Sequence, residues 1–487
     1  MSFLSFRYVL FFLVIYLINW IYVGGCRCLK QKSYKKYSTL LLVESYAFII
    51  ISDWKTAICL FLQTIIVYFV SKGMNKYRNN RRLFITIFTC GIVFSIGQLI
   101  TYKYCDFFVQ SIGEILGFTY ETKIIHFVPL GISFFTFSAV GYLIDLYRKK
   151  YCVFEKLDEL ALYLAFFPKF ISGPIVRADK FIQQTKGGFC SVSLQNLQIG
   201  IQYVVWGMFK KMVMADHLAV FVDEVFKVPT AFNSATCLWA IISYSLQIYF
   251  DFAGYSDMAI GFSKMLGINI DKNFDLPYIS YNITEFWKRW HISLSSWLQD
   301  YLYISLGGNR KGKIRRYFNL IITMLIGGLW HGASWNFVMW GGIHGIALVI
   351  HKEFMKLRNK YLIHPEQGKT KKKIWSIVVT YIFVCITWVF FRAETFSQAI
   401  SLLVQSVTIR EGIQQIYSWT FLAIAFAICE IIYSVIRCNK KAEKRVEISY
   451  PILNLNTIGG LFLFFALTGL TIILAYVGQV AFIYGKF

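Results

Sequence analysis

Charge is scarce in this sequence, and the little there is leans one way. Only 16% of residues are Asp, Glu, Lys or Arg, and Lys plus Arg outnumber Asp plus Glu by 50 to 26. Soluble domains carry about a quarter charged residues, so the shortage excludes an ordinary soluble enzyme. The place of the missing charge is taken by apolar residues, 57% of the chain, with a mean hydropathy of +0.53. That balance describes a polytopic helical membrane protein. The shortage of acidic residues leaves a formal net charge of +24. In a soluble protein this would suggest nucleic acid, but no nucleic-acid motif accompanies it. Instead the basic residues gather in short clusters between apolar runs: Arg27–Lys36, Lys72–Arg82, Arg310–Arg316, Lys352–Lys373 and Arg437–Arg445. This is the positive-inside pattern of cytoplasmic loops.

Other absences narrow the chemistry. The 11 cysteines are scattered; Cys26 and Cys28 form a close pair, but no second pair completes a zinc site. There is no Gly-x-Ser-x-Gly elbow for a serine hydrolase and no His-Glu-x-x-His for a zinc protease. "GGNRKGKI" from Gly307 begins like a phosphate-binding loop, but Ile314 stands where Ser or Thr should hold magnesium. His344 and His351 lie seven apart on one helical face without further ligands, so no metal site is expected. "VGGC" ending at Cys26 has the outline of a lipoprotein cleavage site. The run before it is long for a signal peptide and further spans follow, so it is read as the first membrane helix.

The apolar runs read as helices. Tyr8–Gly25 comes first, Leu40–Ser52 and Trp54–Val70 form a pair, and Leu83–Tyr102 and roughly Phe127–Tyr147 come after them. The N-terminus and the loop Lys103–Lys123 are expected outside, and Arg148–Lys150 inside. "FFPKFISGPIVR" (Phe166–Arg177) is apolar but holds two prolines and a glycine, which predicts a re-entrant or broken segment. Leu194–Val222 is interrupted by Lys210 and Lys211 and has no clear placement. Ala240–Lys264 can span, and Asn282–Tyr303, with Trp287, Trp290 and Trp297 among charges, suits the membrane interface. Ile374–Phe391, Trp419–Ile436 and Ile458–Val480 complete about 11 crossings.

One interval stands apart. Between Arg316 and Lys352 there is no Lys, Arg, Asp or Glu, yet His331 sits near the middle, in "GLWHGAS". The interval is short for two full crossings of about 20 residues each. It is read as two short helices that enter, break at "GLWHGAS" and return. His331 admits three roles: a packing histidine, a metal ligand without local partners, or a general base, for which an ordinary pKa of about 6.5 is well suited. Asp251 and Asp257, in "YFDFAGYSDMAIGF", place two carboxylates in another apolar run. They are either a hydrogen-bonded structural pair or part of a polar substrate path.

"NFDLPYISYNITEFWKRWHISLSSWLQDYLYISLGGNRKGKIRRYFNLIITMLIGGLWHGASWNFVMWGGIHG" (Asn273–Gly345) closely resembles the membrane-bound O-acyltransferase family. "ISFFTFSAVGYLID" (Ile132–Asp145), "FFPKFISGPIVR", "YFDFAGYSDMAIGF" and "WVFFRAETFSQAI" (Trp388–Ile400) are similar to it as well. The resemblance runs from Leu40 onward. "LGGNRKG" and "FFRAE" place the chain nearest the bacterial alginate O-acetylase branch, with the teichoic acid D-alanyl transferases as the sister branch. It implies an all-α integral membrane fold: a ring of about 11 transmembrane helices, with re-entrant and interfacial helices, around a central tunnel. One domain over residues 1–487 is expected, its family core near 127–400.

The resemblance further implies that His331 is the catalytic membrane histidine and His291, in "RWHISLS", a second characteristic residue. Asn336, Trp330, Asp251 and Asp257 become candidates for substrate binding, and Arg310, Lys311 and Lys313 for attracting donor phosphates. The expected reaction moves an acyl group, acetyl above all, from a cytoplasmic thioester to a hydroxyl of an extracellular polysaccharide or of an acyl-carrying partner acetyltransferase protein. Acetyl-CoA is the expected donor, with no bound cofactor or metal. The bilayer is the other partner, in a multi-pass bacterial plasma-membrane protein. D-alanyl transfer from a carrier protein to teichoic acid is the alternative. A transporter or flippase without chemistry is the rival from another class, though two similar halves are not seen.

Overall fold

The computed structural model describes residues 3–28, 34–117, 124–150, 153–186, 192–310, 312–361, 369–440, 452–478, 480 and 482–483. Apart from an isolated bridge between Phe232 and Ile413, every regular element among them is a helix, as expected of an apolar chain that must satisfy its own backbone in lipid. They fall into two compact units, Met1–Val204 with Met258–Asp271, and Val205–Asp257 with Lys272–Phe487.

The first unit begins with α1 (Phe6–Cys28) and α2 (Tyr34–Lys76). The expected pair of helices is present as two arms of α2 that meet at Asp53, whose φ of −169° and ψ of 103° leave the helical region. The Asp53 carboxylate caps the second arm, accepting from Lys55 N at 3.2 Å, Thr56 N at 3.3 Å and Thr56 Oγ1 at 2.5 Å. α3 (Arg81–Leu99) runs through a π-helical turn, Ile100–Tyr104, into α4 (Cys105–Leu116). This corrects the expectation of a loop from Lys103: residues 103–116 are helical, and 118–123 lie outside the described residues. Phe108, Ile112 and Leu116 repeat at helical spacing, and charge bias alone does not distinguish a loop from an amphipathic helix.

α5 (Ile132–Tyr147) starts after Gly131 rather than at Phe127. Gly131 has a φ of +66°, and a Cβ there would lie 2.4 Å from the Phe170 carbonyl oxygen. α6 (Leu157–Ala165), α7 (Phe167–Phe170) and α8 (Ala178–Lys186) bear out the broken character of "FFPKFISGPIVR", with Pro168 in the first turn of the short α7. Its Lys169 is buried with Nζ 4.2 Å from the Tyr163 ring centroid, a cation–π contact. Tyr8, Phe12, Phe48, Phe167 and Phe262 form the aromatic core of this unit.

The boundary between the units falls within α9 (Leu194–Met208) and α11 (Ser234–Met265). A π-helical stretch, Phe209–Ala215, carries Lys210 and Lys211 and leads into α10 (Asp216–Lys227). The second unit continues with α12 (Ile283–Arg289), α13 (Ile292–Trp297), α14 (Lys313–His331), α15 (Trp335–Tyr361), α16 (Lys369–Arg392), α17 (Phe396–Val407), α18 (Ser418–Lys440) and α19 (Ile458–Ile473). Residues 282–303 do not form one interfacial helix. The chain breaks at His291, and Trp290 and Trp297 are buried within the protein, Trp290 against Phe286 and Trp388 and Trp297 against Tyr301. The two helices around "GLWHGAS" are also longer than the apolar interval, since each extends into its basic flank.

Five of the described helical runs are long and apolar enough to cross a membrane: Phe6–Gly24, Tyr37–Lys76, Arg81–Leu116, Lys373–Arg392 and Ser418–Ile436. They and the shorter apolar helices turn large side chains outward, among them Phe69, Trp375 and Phe462, each about 70% exposed. Apolar surface on this scale is stable against lipid rather than water.

Candidate active site

Where α14 and α15 meet, their backbones touch. A Cβ on Gly328 would lie 2.1 Å from Phe337 O, and one on Gly341 would lie 2.2 Å from Met324 O. Only glycine permits such an approach, the small-residue logic of helix packing in membranes. α14 stops at His331 because Gly332 adopts extended backbone, and α15 restarts at Trp335. The break predicted from the sequence is therefore real, and it presents His331 at the end of a helix. The ring is buried among Trp330, Trp340 and Phe391, with centroids 5.1, 5.1 and 5.2 Å away.

His291 lies across from it, ring centroids 6.5 Å apart. It is fully buried and has left-handed backbone, φ 43° and ψ 55°. A non-glycine residue there costs about 1–2 kcal/mol, so the surroundings must hold it. Asn273 does so: its carbonyl accepts from Ile292 N at 2.9 Å, and its Oδ1 accepts from Ser293 N at 3.1 Å and Ser293 Oγ at 2.9 Å. The same Oδ1 lies 3.1 Å from His291 Nδ1. Since a backbone N–H points at this atom, it is the oxygen of the amide, and His291 Nδ1 must carry the proton. Nε2 is then the accepting nitrogen of the neutral ring. Asn273→Ala is expected to lower turnover about tenfold by releasing the strained break and the tautomer. Leaving KM for donor unchanged would mark a positioning role, and unaltered turnover would refute it.

The remaining candidates separate. Trp330 belongs to the site, 5.9 Å from the His291 ring. Asn336 is buried and donates Nδ2 to Ala393 O at 2.8 Å, fastening α15 to the end of α16. Asp251 and Asp257 belong to a buried ion network whose other half the sequence does not join to them. Lys211 Nζ lies 2.5 Å from Asp251 and 2.6 Å from Asp216, and Lys210 Nζ lies 3.0 Å from Asp257 and 2.8 Å from Glu430. Two lysines in one apolar run and two aspartates in another are the signal that could have linked them. Asp251 Oδ2 also accepts from Ile483 N at 2.9 Å. The network reaches the histidines through Phe252, edge-on to His291 at 4.6 Å. Arg310 is exposed, Lys311 lies outside the described residues, and Lys313 and Arg316 both pair with Glu353, at 2.8 and 3.1 Å.

Sequence patterns also do not single out Asn273 or the aromatic box of Trp290, Trp340 and Trp388. These three rings are fully buried, with Trp340 stacked on Trp388 at 5.6 Å and Trp388 4.8 Å from Trp290. Among the described residues no group of three or more His, Cys, Asp or Glu is placed to hold a metal. Two imidazoles facing each other in an apolar interior are equipped to move a proton between a nucleophile and a leaving group.

Comparison with known proteins identifies the class. The membrane-bound O-acyltransferase family matches residues 156–393. A peptidoglycan O-acetyltransferase of Helicobacter pylori is 36% identical over 364 residues, 69% of this chain and 67% of that protein. A protein named as a probable alginate O-acetylase, from Pseudomonas aeruginosa, is 37% identical over 365 residues, 74% of this chain and 68% of its own. A teichoic acid D-alanyltransferase of Streptococcus thermophilus is 33% identical over 282 residues, 55% of this chain and 68% of its own. The chain belongs to the membrane-bound O-acyltransferase family and is an O-acyltransferase.

Proposed function

We propose that this O-acyltransferase is an O-acetyltransferase of the bacterial plasma membrane. It takes acetyl from cytoplasmic acetyl-CoA and delivers it to a hydroxyl of an extracellular polysaccharide, directly or through an acyl-carrying partner protein. The observation that carries this reading is the placement of His331 opposite His291, 6.5 Å between ring centroids, inside an apolar wall. The names of the Helicobacter and Pseudomonas relatives support the acetyl group and the glycan.

His331 accepts the proton of the attacking hydroxyl while the new C–O bond forms, giving a tetrahedral oxyanion. The C–S bond then breaks, and His331 returns the proton to the departing thiolate. Thioester and alcohol become ester and thiol, with nothing else consumed. Neutral His291 presents a lone pair at Nε2, so it suits holding the incoming hydroxyl better than donating to the oxyanion. Asn336 gives one amide N–H to Ala393 O and keeps the second. Asn336 and backbone amides at the break after His331 are the candidate oxyanion donors. An acyl-histidine intermediate satisfies the same geometry.

The 33% identity to the Streptococcus D-alanyltransferase supports a second reading, transfer of D-alanine from a carrier protein to teichoic acid. Purified protein supplied with radiolabelled acetyl-CoA separates the two. Label transfer to an added acceptor supports acetylation. No turnover, together with turnover of a D-alanyl carrier protein, moves the chain to the other branch. Loss of O-acetyl groups from extracellular polymers in a deletion strain is the cellular counterpart.

Neutralising Arg310, Lys311 and Lys313 together should raise KM for acetyl-CoA and flatten its salt dependence, since basic residues attract a polyanionic donor. Lys313 already shares Glu353, so Arg310 should account for more of the effect than Lys313. Orientation has its own test. Single cysteines at residues 72–82 and 352–373 should resist an impermeant thiol reagent in intact cells, and those at 103–123 should react. External labelling within 352–373 would reverse the proposed donor side.

A further inference from the structure

His344, thirteen residues beyond His331, has no exposed surface. Its Nε2 lies 3.0 Å from Thr387 Oγ1. The Thr387 hydroxyl donates its own hydrogen to Val384 O at 2.8 Å, so the ring must be the donor in the first bond. Nδ1 therefore carries a lone pair, and among the described residues no hydrogen-bond donor reaches it. Around it stand the rings of Trp287 and Trp340, centroids 5.2 and 4.9 Å away. Their indole N–H groups are also buried, without an acceptor among the described residues. Buried polar atoms are almost always satisfied, and an unsatisfied cluster asks for an explanation. One lone pair and two N–H groups in an otherwise aromatic wall are complementary to an amide, which has one N–H and one carbonyl.

The direction of the cluster narrows the ligand. Trp340 is edge-on to His331 at 5.1 Å. His344 sits one turn later on α15, and His351 two turns further, its Nδ1 2.9 Å from Thr284 Oγ1. Lys352 comes next, and Glu353 there pairs with Lys313 and Arg316. Polar atoms thus lead along one helix from the reacting histidine to a basic end. A sugar is broad and presents hydroxyls on all sides. A pantetheine arm is thin, carries amides behind its thioester, and ends in phosphate.

We propose that His344 is a donor-binding residue. Its Nδ1 accepts the N–H of an amide in the pantetheine arm of the acyl donor, and the indole N–H of Trp340 or Trp287 donates to an amide carbonyl of the same arm. The inference rests on the thioester donor proposed above. It applies to both sources of that arm, free acetyl-CoA and a carrier protein bearing phosphopantetheine.

The experiment compares purified wild type, His344→Leu and His344→Asn on acetyl-CoA, S-acetyl-pantetheine and the S-acetyl ester of 2-mercaptoethanol, which has no amide. A D-alanyl carrier protein forms a parallel arm that identifies the source. Wild type should prefer the pantetheine ester to the mercaptoethanol ester by about tenfold or more in kcat/KM, the effect of a buried hydrogen bond. His344→Leu should raise KM for the amide-bearing donors about tenfold, with kcat little changed and the mercaptoethanol ester unaffected. His344→Asn, which keeps an acceptor near the position of Nδ1, should recover most of the loss. An equal loss on all three esters, or none, overturns the proposal. Should His344→Leu fail to fold, the wild-type preference and His344→Asn decide, and a wild type indifferent to the amide overturns it. If wild type turns over no thioester at all, the donor reading fails and this inference with it. Turnover without amide preference removes this inference alone.

Discussion

His331→Ala is expected to abolish acyl transfer, a loss of at least about a thousandfold, as befits removal of a general base from a site that offers water no easy access. The protein should still insert and fold. The ring contributes packing against Trp330, Trp340 and Phe391, and losing it should cost about 1–3 kcal/mol. The glycine contacts that hold α14 against α15 do not involve it. Activity of the purified variant on radiolabelled acetyl-CoA, beside its elution profile and thermal unfolding in detergent, separates chemistry from folding. A folded variant that retains more than a tenth of wild-type activity would falsify the assignment of His331 as the base.

The largest effect on stability is expected at Lys210. Its ammonium is buried between Asp257 and Glu430 at 3.0 and 2.8 Å. Lys210→Met leaves both carboxylates in an apolar interior without that cation, a loss of about 3–5 kcal/mol. The damage comes from the abandoned charges more than from the missing attraction. Adding Asp257→Asn and Glu430→Gln to Lys210→Met should therefore restore much of the stability. Thermal unfolding of wild type, the single variant and the triple variant in one detergent reads this directly. An unshifted midpoint in Lys210→Met, or a triple variant less stable than the single one, would show that the network does not hold α11 and α18 to the turn at Lys210.

Much of this arrangement is legible in the order of the residues. The charge shortage and the apolar runs specify a helical membrane protein, because lipid leaves the backbone no partner but itself. "FFPKFISGPIVR" announces a broken segment through Pro168, Gly173 and Pro174, and "GLWHGAS" announces the break after His331 through Gly332. These are local effects of backbone geometry, and local effects are written in adjacent residues. Where local signals are ambiguous, charge and composition mislead. Residues 103–116 look like a loop by charge and are helical. Trp290 and Trp297 look interfacial by composition and are buried, Trp290 against Phe286 and Trp388 and Trp297 against Tyr301.

Local chemistry along the chain thus specifies a helical membrane protein and its helix breaks, and it marks His331 as an ionisable ring in an uncharged run, while His291 is singled out only by the family resemblance. The groups those residues meet are settled by packing in three dimensions. Asn273 reaches His291 from 18 positions upstream, Lys210 meets Glu430 across more than two hundred residues, and Thr387 sets the tautomer of His344 from another helix. Proton positions and ion pairs depend on distances of about 3 Å between atoms far apart in the chain. No periodicity or composition along a linear sequence encodes such a distance. It exists only once close-packed helices, touching at Gly328 and Gly341, bring their side chains together.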